Sequence, residues 1–242
     1  MNENSNGSVM RRAEKALRSR ILQCDDGAFL GSEVQLIESL GVSRPTFRQV
    51  AKLLERDLLL EIRRGVGGGY YARNPSIQAV AQAASVFLQF EKSTLSHATV
   101  AASQLSRELA RLAAQCAQDE FRQRLQRFLD ADRQAPAQGQ PVANFIEAEL
   151  QFVETLAAMS GNPVLKLLIT ILYKFATPAV GGIIFDDPVF MQASRGTRIA
   201  TAEAILAGDV ELAMLMFRRH MDAQYGQLKK LRGDAGLDVP LF

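Results

Sequence analysis

The sequence predicts a mainly α-helical protein in two parts: an N-terminal winged helix-turn-helix (three helices plus a β-hairpin wing) and a C-terminal all-α antiparallel helical bundle. Three observations carry this. Two short helices with their own N-caps are separated only by Gly41-Val42. A glycine-rich turn, Gly65 to Gly69, lies between two runs of β-forming residues. From Ser76 onward the apolar residues recur at helical spacing, and no convincing strand pair is found.

The elements follow in order. Residues 1–9 read as a polar, disordered lead-in. Arg11 to Gln23 reads as a helix, because Ala13, Ala16, Leu17 and Ile21 share one face. Ser32 followed by Gln35 is a capping box that starts a second helix, and Gly41 closes it. Ser43 caps a third helix, Arg44 to about Glu55. Pro45 is tolerated there because a first-turn N–H has no partner in any case. Phe47, Val50, Ala51 and Leu54 form its apolar stripe. Leu58 to Arg64 and Tyr70 to Arg73 read as the two strands of the hairpin. Asn74-Pro75-Ser76 marks a boundary, so residues 10–75 form one domain. Helices are expected over about 76–96, 98–116, 118–133, 143–160, 163–180, 188–207 and 209–232. These make a second domain over 76–235 with room for a buried pocket, followed by a tail at 236–242.

Composition narrows the function. The 242 residues are 48% hydrophobic and 22% charged, an ordinary globular balance. No apolar run reaches the ~18 residues that span a bilayer, and residues 1–10 hold no signal-peptide core, so a cytoplasmic protein without membrane association is expected. Cys24 and Cys116 lack metal or redox spacing and read as reduced thiols. Residues 10–74 carry twelve Lys/Arg against eight Asp/Glu, while residues 75–242 carry sixteen against seventeen. A basic first part on a near-neutral body suits a module that binds phosphates, although a solvated surface would look the same. The motifs therefore decide.

The third helix places Arg44, Thr46, Arg48, Gln49 and Lys52 off its apolar stripe. The N-terminal residues of such a helix enter the major groove, where arginine reads guanine O6 and N7 together. Ser32, Ser43 and Thr46 are candidate phosphate contacts, with Arg44 and Arg48 on bases or adjacent phosphates. Arg63, Arg64, Gly65 and Gly67 in the wing are the remaining DNA-binding candidates, because glycine lets backbone approach a phosphate or the minor-groove floor.

These residues resemble a family. Gly31-Ser32-Glu33 with Leu36, Leu40 to Arg48, Leu53-Leu54, Leu58-Leu59 and Arg64 to Gly69 look like the GntR superfamily of repressors. Leu109 to Ala114, Phe152 with Leu156, Ser160-Gly161-Asn162-Pro163, and Ala204 to Asp209 with Ala213 and His220 resemble the FCD ligand-binding domain of its FadR subfamily. The resemblance implies a homodimer on a palindromic double-stranded DNA operator. It also implies a small-molecule effector, an organic acid or acyl compound, that changes DNA affinity. One departure is Val34, where the family often has an arginine.

Many FCD domains hold a divalent metal on an Asp, a His four residues later and two further histidines. The corresponding positions here are Glu149, Val153, Arg198 and His220. Val153 cannot ligate, and Arg198 brings a permanent positive charge, so no metal and no other cofactor is expected. These four residues are instead the candidate effector site. Arg198 either pairs with Glu149 inside the protein or holds an acidic effector. Ala102 and Ser106 stand where the family often has Arg and Glu, which favours a more apolar ligand.

An enzyme is not expected: no GxSxG, P-loop, HExxH or strand-following GxGxxG is present. The alternative within the regulator class is an effector-free dimer with a vestigial ligand domain, which ligand-induced release of DNA would exclude.

Overall fold

The computed structural model describes residues 3–136 and 139–233. The chain divides into two compact units, residues 1–80 and 81–242. The expected tail at 236–242 lies outside the described residues.

The first unit contains α1 (Glu3–Ile21), β1 (Phe29–Gly31), α2 (Glu33–Leu40), α3 (Arg44–Arg56), β2 (Leu60–Arg63) and β3 (Gly69–Ala72). Both caps form as their side chains dictate. Ser32 and Gln35 exchange hydrogen bonds with each other's backbone N–H, and Ser43 accepts from the Thr46 N–H. Gly41 is left-handed at φ 63°, which a residue with a Cβ rarely adopts, and this ends α2 just before α3. Leu17, Ile21, Leu36, Phe47, Val50, Leu54 and Leu60 are fully buried between the helices and the sheet. The Phe47 ring meets Tyr70 edge-on at 4.9 Å.

Three details differ from the sequence-based expectation. First, α1 begins at Glu3 rather than Arg11, so the helix takes in most of the segment read as a disordered lead-in. Residues 3–10 contain no proline to stop it, and Met10 packs against the core. Second, the wing is not a free hairpin. β1 joins it, giving an antiparallel sheet in the order β1-β3-β2. β1 has only three residues and so shows no alternation, but Leu30 is buried and the Phe29 ring lies 5.2 Å from Tyr71. Third, β2 starts at Leu60 because Leu58 takes a positive φ of 60° at the turn after α3.

In the second unit α4 (Ile77–Phe90), which begins in the last residues of the first, leads into α5 (Leu95–Ala114), α6 (Asp119–Gln134), α7 (Val142–Met159), α8 (Pro163–Ile184), α9 (Pro188–Ala207) and α10 (Val210–Arg232). The seven expected helices are present. The break between the first two falls at residues 91–94 rather than 97. Thr94 and His97 form the capping box there, a pair in which histidine replaces the usual Glu or Gln. Asn162, Asp187 and Asp209 cap α8, α9 and α10. The main core joins α5, α6, α7, α8, α9 and α10 through Leu109, Leu125, Phe152, Leu156, Ile169, Ile205 and Phe217. Phe152 stacks on Phe128 at 5.5 Å and meets Phe217 edge-on at 6.0 Å.

Candidate DNA-reading face and candidate effector site

In the first unit, the caps aim the start of α3 outward. Arg44 and Arg48 are 61% exposed, and the Nε of each lies against Glu33 Oε1, at 3.0 and 3.2 Å. The Tyr70 hydroxyl donates to Glu33 Oε2 at 3.4 Å. Burial and the Glu33 carboxylate both push the Tyr70 hydroxyl up from its ordinary pKa, which keeps it a donor. Arg63 is held by Glu61 at 2.9 and 3.2 Å and stacks over the Tyr71 ring at 4.0 Å. Arg64 is exposed at the start of the wing turn, where Gly65 and Gly67 both take left-handed φ values of 86° and 76°. Arg48, Lys52, Arg63 and Arg64, with Ser32, line one groove of about 660 Å³ between α3 and the wing.

Three of the candidates, Ser32, Ser43 and Thr46, have other work as caps. Thr46 is only 7% exposed, and its hydroxyl shares a 2.9 Å hydrogen bond with Ser43. It closes the first turn of α3 instead of facing a phosphate. The Ser32 hydroxyl is likewise engaged in its cap. The organising residue that sequence reasoning missed is Glu33. It lies 11 and 15 positions from the arginines it holds, so no local periodicity could reveal it.

Glu33→Gln is expected to raise affinity for arbitrary duplex DNA about 2–5-fold, the scale of a surface ion pair. The change loosens both guanidinium groups and removes the negative charge beside them. Fluorescence anisotropy on a random duplex checks this, and weaker binding would contradict it.

In the second unit, Glu149, Arg198 and His220 meet in one buried cluster. Arg198 is fully buried and donates from all three nitrogens: Nε and Nη2 to Asp132 at 2.9 and 2.5 Å, and Nη1 to Glu149 at 2.7 Å. Its guanidinium also lies 4.6 Å from the centre of the Phe145 ring. His220 Nε2 is 2.9 Å from Glu149 Oε2, and its Nδ1 is 2.9 Å from Thr197 Oγ1. The Gln224 amide donates to Glu149 Oε2 at 3.2 Å. Arg195, also buried, donates to the backbone carbonyls of Ala135 and Pro136 near Asp132. Val153 sits one turn after Glu149, 1% exposed, and supplies only packing.

The electrostatics follow from this geometry. Burial alone would raise the Glu149 pKa. The neighbouring His220 and Arg198, with hydrogen bonds from His220 and Gln224, outweigh it and bring the carboxyl from 4.5 to about 2. Desolvation works against the Arg198 charge, but Glu149 and Asp132 more than offset it and raise its pKa. Arg198 is thus an internal cation bridging α6, α7 and α9. A divalent ion does not fit beside it: the guanidinium takes up oxygens of both carboxylates, and Val153 offers no donor. Asp132 carries no signal in the sequence, since its partner is 66 residues away.

Of the two arrangements open to Arg198, this structure holds the internal one: its donors are spent on protein carboxylates. Two spaces adjoin the cluster: an open cleft of about 470 Å³ on the Asp132 side, lined also by Arg124, Arg127 and Gln140, and a partly open cavity of about 70 Å³ walled by Ala98, Ala102, Tyr173, Gly181, Met221 and Gln224 among others. Glu149, Val153, Arg198 and His220 line neither of them.

Residues 100–223, more than half of the chain, match the sequence profile of the FCD domain. The chain is a GntR-family transcriptional regulator with an FCD domain. It is 28% identical over 234 residues to the HTH-type transcriptional repressor NanR of Cronobacter sakazakii, covering 92% of this chain and 85% of that relative. Among solved structures, Streptococcus agalactiae GntR superposes with a TM-score of 0.70 over 90% of this chain and 99% of its own, at 20% identity, a likeness of fold. The first unit of this GntR regulator is therefore its winged helix-turn-helix, and the second its FCD effector-binding domain. Proteins of this kind are regulators rather than enzymes. Among the described residues no helix is long and apolar enough to cross a membrane.

Proposed function

We propose that this regulator is a cytoplasmic, sequence-specific repressor that binds a pseudo-palindromic operator as a homodimer, with its DNA affinity set by a small molecule in the FCD domain. The observation that carries the DNA part is the groove between α3 and the wing, where Arg48, Lys52, Arg63 and Arg64 converge beside the exposed Arg44. Base contacts would come from Arg44 and Arg48, and phosphate or minor-groove contacts from Arg63, Arg64 and the wing backbone at Gly65 and Gly67. Selection of bound duplexes from a random library tests this reading. The expected product is an inverted repeat with half-sites about one helical turn, ~34 Å, apart. No enriched sequence would overturn it.

The apolar outer face of α4 supports the homodimer reading. Ala83, Val86, Phe87 and Phe90 are exposed on it, with Phe90 at 84%, while Ala81, Ser85 and Leu88 face inward. The outer face is thus at least as apolar as the inner one, and the helix carries no charged residue. Such a face meets a second copy of itself about a two-fold axis without like-charge repulsion. Phe87→Glu with Phe90→Glu is expected to give monomers by light scattering. Operator affinity should fall by about 10²–10⁴, the advantage that linking two half-site readers confers. An intact dimer in this variant would place the interface elsewhere.

The buried ionic cluster, in which Asp132 and Glu149 take every nitrogen of Arg198, gives the effector-free reading its one supporting observation. Ligand-induced release of operator DNA separates the two readings.

A further inference from the structure

We infer that the cavity between α5, α8 and α10 is the effector site, and that it takes a small, neutral, mainly apolar molecule whose polar group meets the Gln224 side-chain amide. This rests on the proposed effector control and names the ligand class.

The wall sets the size. Ala98 and Ala102 stand one turn apart on α5, where their small side chains leave the space open, and Gly181 of α8 lines it as well. The cavity holds about 70 Å³. At ~10–15 Å³ for a water-sized sphere, that is room for roughly five to seven non-hydrogen atoms. Leu95, Leu172, Ile184 and Leu228 complete an apolar lining. Gly181 serves the packing behind the wall: a Cβ there would lie 2.7 Å from the Ile146 side chain, which is not part of the cavity lining.

The wall also sets the charge. Among the described residues, no Lys, Arg, His, Asp or Glu lines the cavity. A carboxylate entering it would be desolvated without a counter-ion. It would also approach Glu149, which sits directly behind Gln224. Arg198 offers no relief, since its nitrogens already serve Asp132 and Glu149. Most of the polar wall is occupied as well. Thr99 donates back to the Leu95 carbonyl at 2.9 Å, and the Tyr173 hydroxyl is engaged by Met221 Sδ at 2.6 Å and Ser106 at 3.4 Å. Burial pushes the Tyr173 pKa further up, so it adds no charge.

Gln224 differs. Its Nε2 is used inside the cluster, 3.2 Å from Glu149 Oε2 and 3.0 Å from His220 Nε2, so the group it offers a ligand is its carbonyl oxygen, an acceptor suited to a hydroxyl. Among the described residues it is the one side chain that belongs both to the cavity wall and to the ionic cluster. A ligand hydrogen-bonded to this amide acts on Glu149. Through Glu149 and Arg198 it acts on α7, α9 and, at Asp132, α6. Occupancy of an apolar hole thereby changes the pairing that joins four helices.

The test compares 1-hexanol with pentanoate, which has the same number of non-hydrogen atoms, on the full-length protein, by ligand-observed NMR titration and by release of operator DNA. Wild type is expected to bind 1-hexanol at least ten-fold more tightly than pentanoate, with release of DNA. Ala102→Leu, which fills the cavity, should weaken 1-hexanol binding at least ten-fold while operator affinity without ligand stays unchanged. Ala98→Val provides the same check if Ala102→Leu does not fold. Gln224→Leu should keep hydrocarbon binding and lose DNA release. Tighter binding of pentanoate, no binding of 1-hexanol, or 1-hexanol binding untouched by both filling variants, would overturn the inference. If pentanoate alone releases DNA, effector control stands and only the ligand class falls. If both compounds bind but neither releases DNA, the control itself falls.

Discussion

Arg198→Met is expected to lower the stability of the FCD domain by about 3–5 kcal/mol near neutral pH, because it strips the counter-ion from two carboxylates that remain buried. The pH dependence gives the sign. In wild type the Glu149 pKa is depressed from 4.5 to about 2. Its contribution to stability is full above the unfolded value and is lost as pH falls toward about 2. Without Arg198, only His220 and Gln224 act against burial, so the folded Glu149 pKa moves up from its wild-type value. Protonation on acidification then costs the variant less stability than it costs wild type. The gap between variant and wild type should therefore narrow as pH falls from about 4.5 toward 2, measured by urea denaturation of the full chain. Adding Asp132→Asn and Glu149→Gln to Arg198→Met should recover part of the loss, since a neutral hydrogen-bonded set no longer confines unpaired charge. Equal stability of Arg198→Met and wild type at pH 7 would sink this account of the cluster.

The second large effect is on DNA. Arg44→Ala and Arg48→Ala are each expected to weaken operator binding by about 1–3 kcal/mol and to relax sequence preference at the base each one reads. Both share Glu33 as partner, so their effects should not simply add. Stability should hardly change, because both side chains are 61% exposed. Lys52→Ala is the informative contrast. If Lys52 serves a phosphate, its removal would weaken all duplexes alike and reduce the salt slope by about one, leaving preference intact. Wild-type operator affinity in both arginine variants would remove α3 from the reading surface.

Much of this architecture is legible in the sequence because its signals are local. Ser32 with Gln35, Gly41, Ser43 with Pro45, Asn162 with Pro163, and Gly208-Asp209 each fix a helix end within three or four residues. What was not legible depends on the chain returning to itself. β1 is too short for a pattern and exists because β3 supplies its partner. The start of β2 depends on the backbone turn at Leu58. Glu33 and Asp132 have ordinary neighbours in sequence and acquire their roles from arginines 11 to 66 positions away.

The effector site shows the same divide. Family resemblance brought Glu149, Val153, Arg198 and His220 to one place, and the structure does bring three of them into one hydrogen-bonded cluster with Val153 packed one turn from Glu149. Arg198, Glu149 and His220 bond within that cluster, and the apolar cavity lies one side chain further on, past Gln224. A cavity is a property of several helices at once. The small residues Ala102 and Ser106 hinted at its apolar character but not at its walls.

The most direct test of sequence-specific DNA binding is the affinity of the full-length protein for the selected operator against a scrambled duplex of the same composition, by anisotropy at about 0.15 M salt. A ratio of roughly 10³ or more is predicted, falling toward one when Arg44 and Arg48 are both alanine. Equal affinity of wild type for the two duplexes would contradict the account.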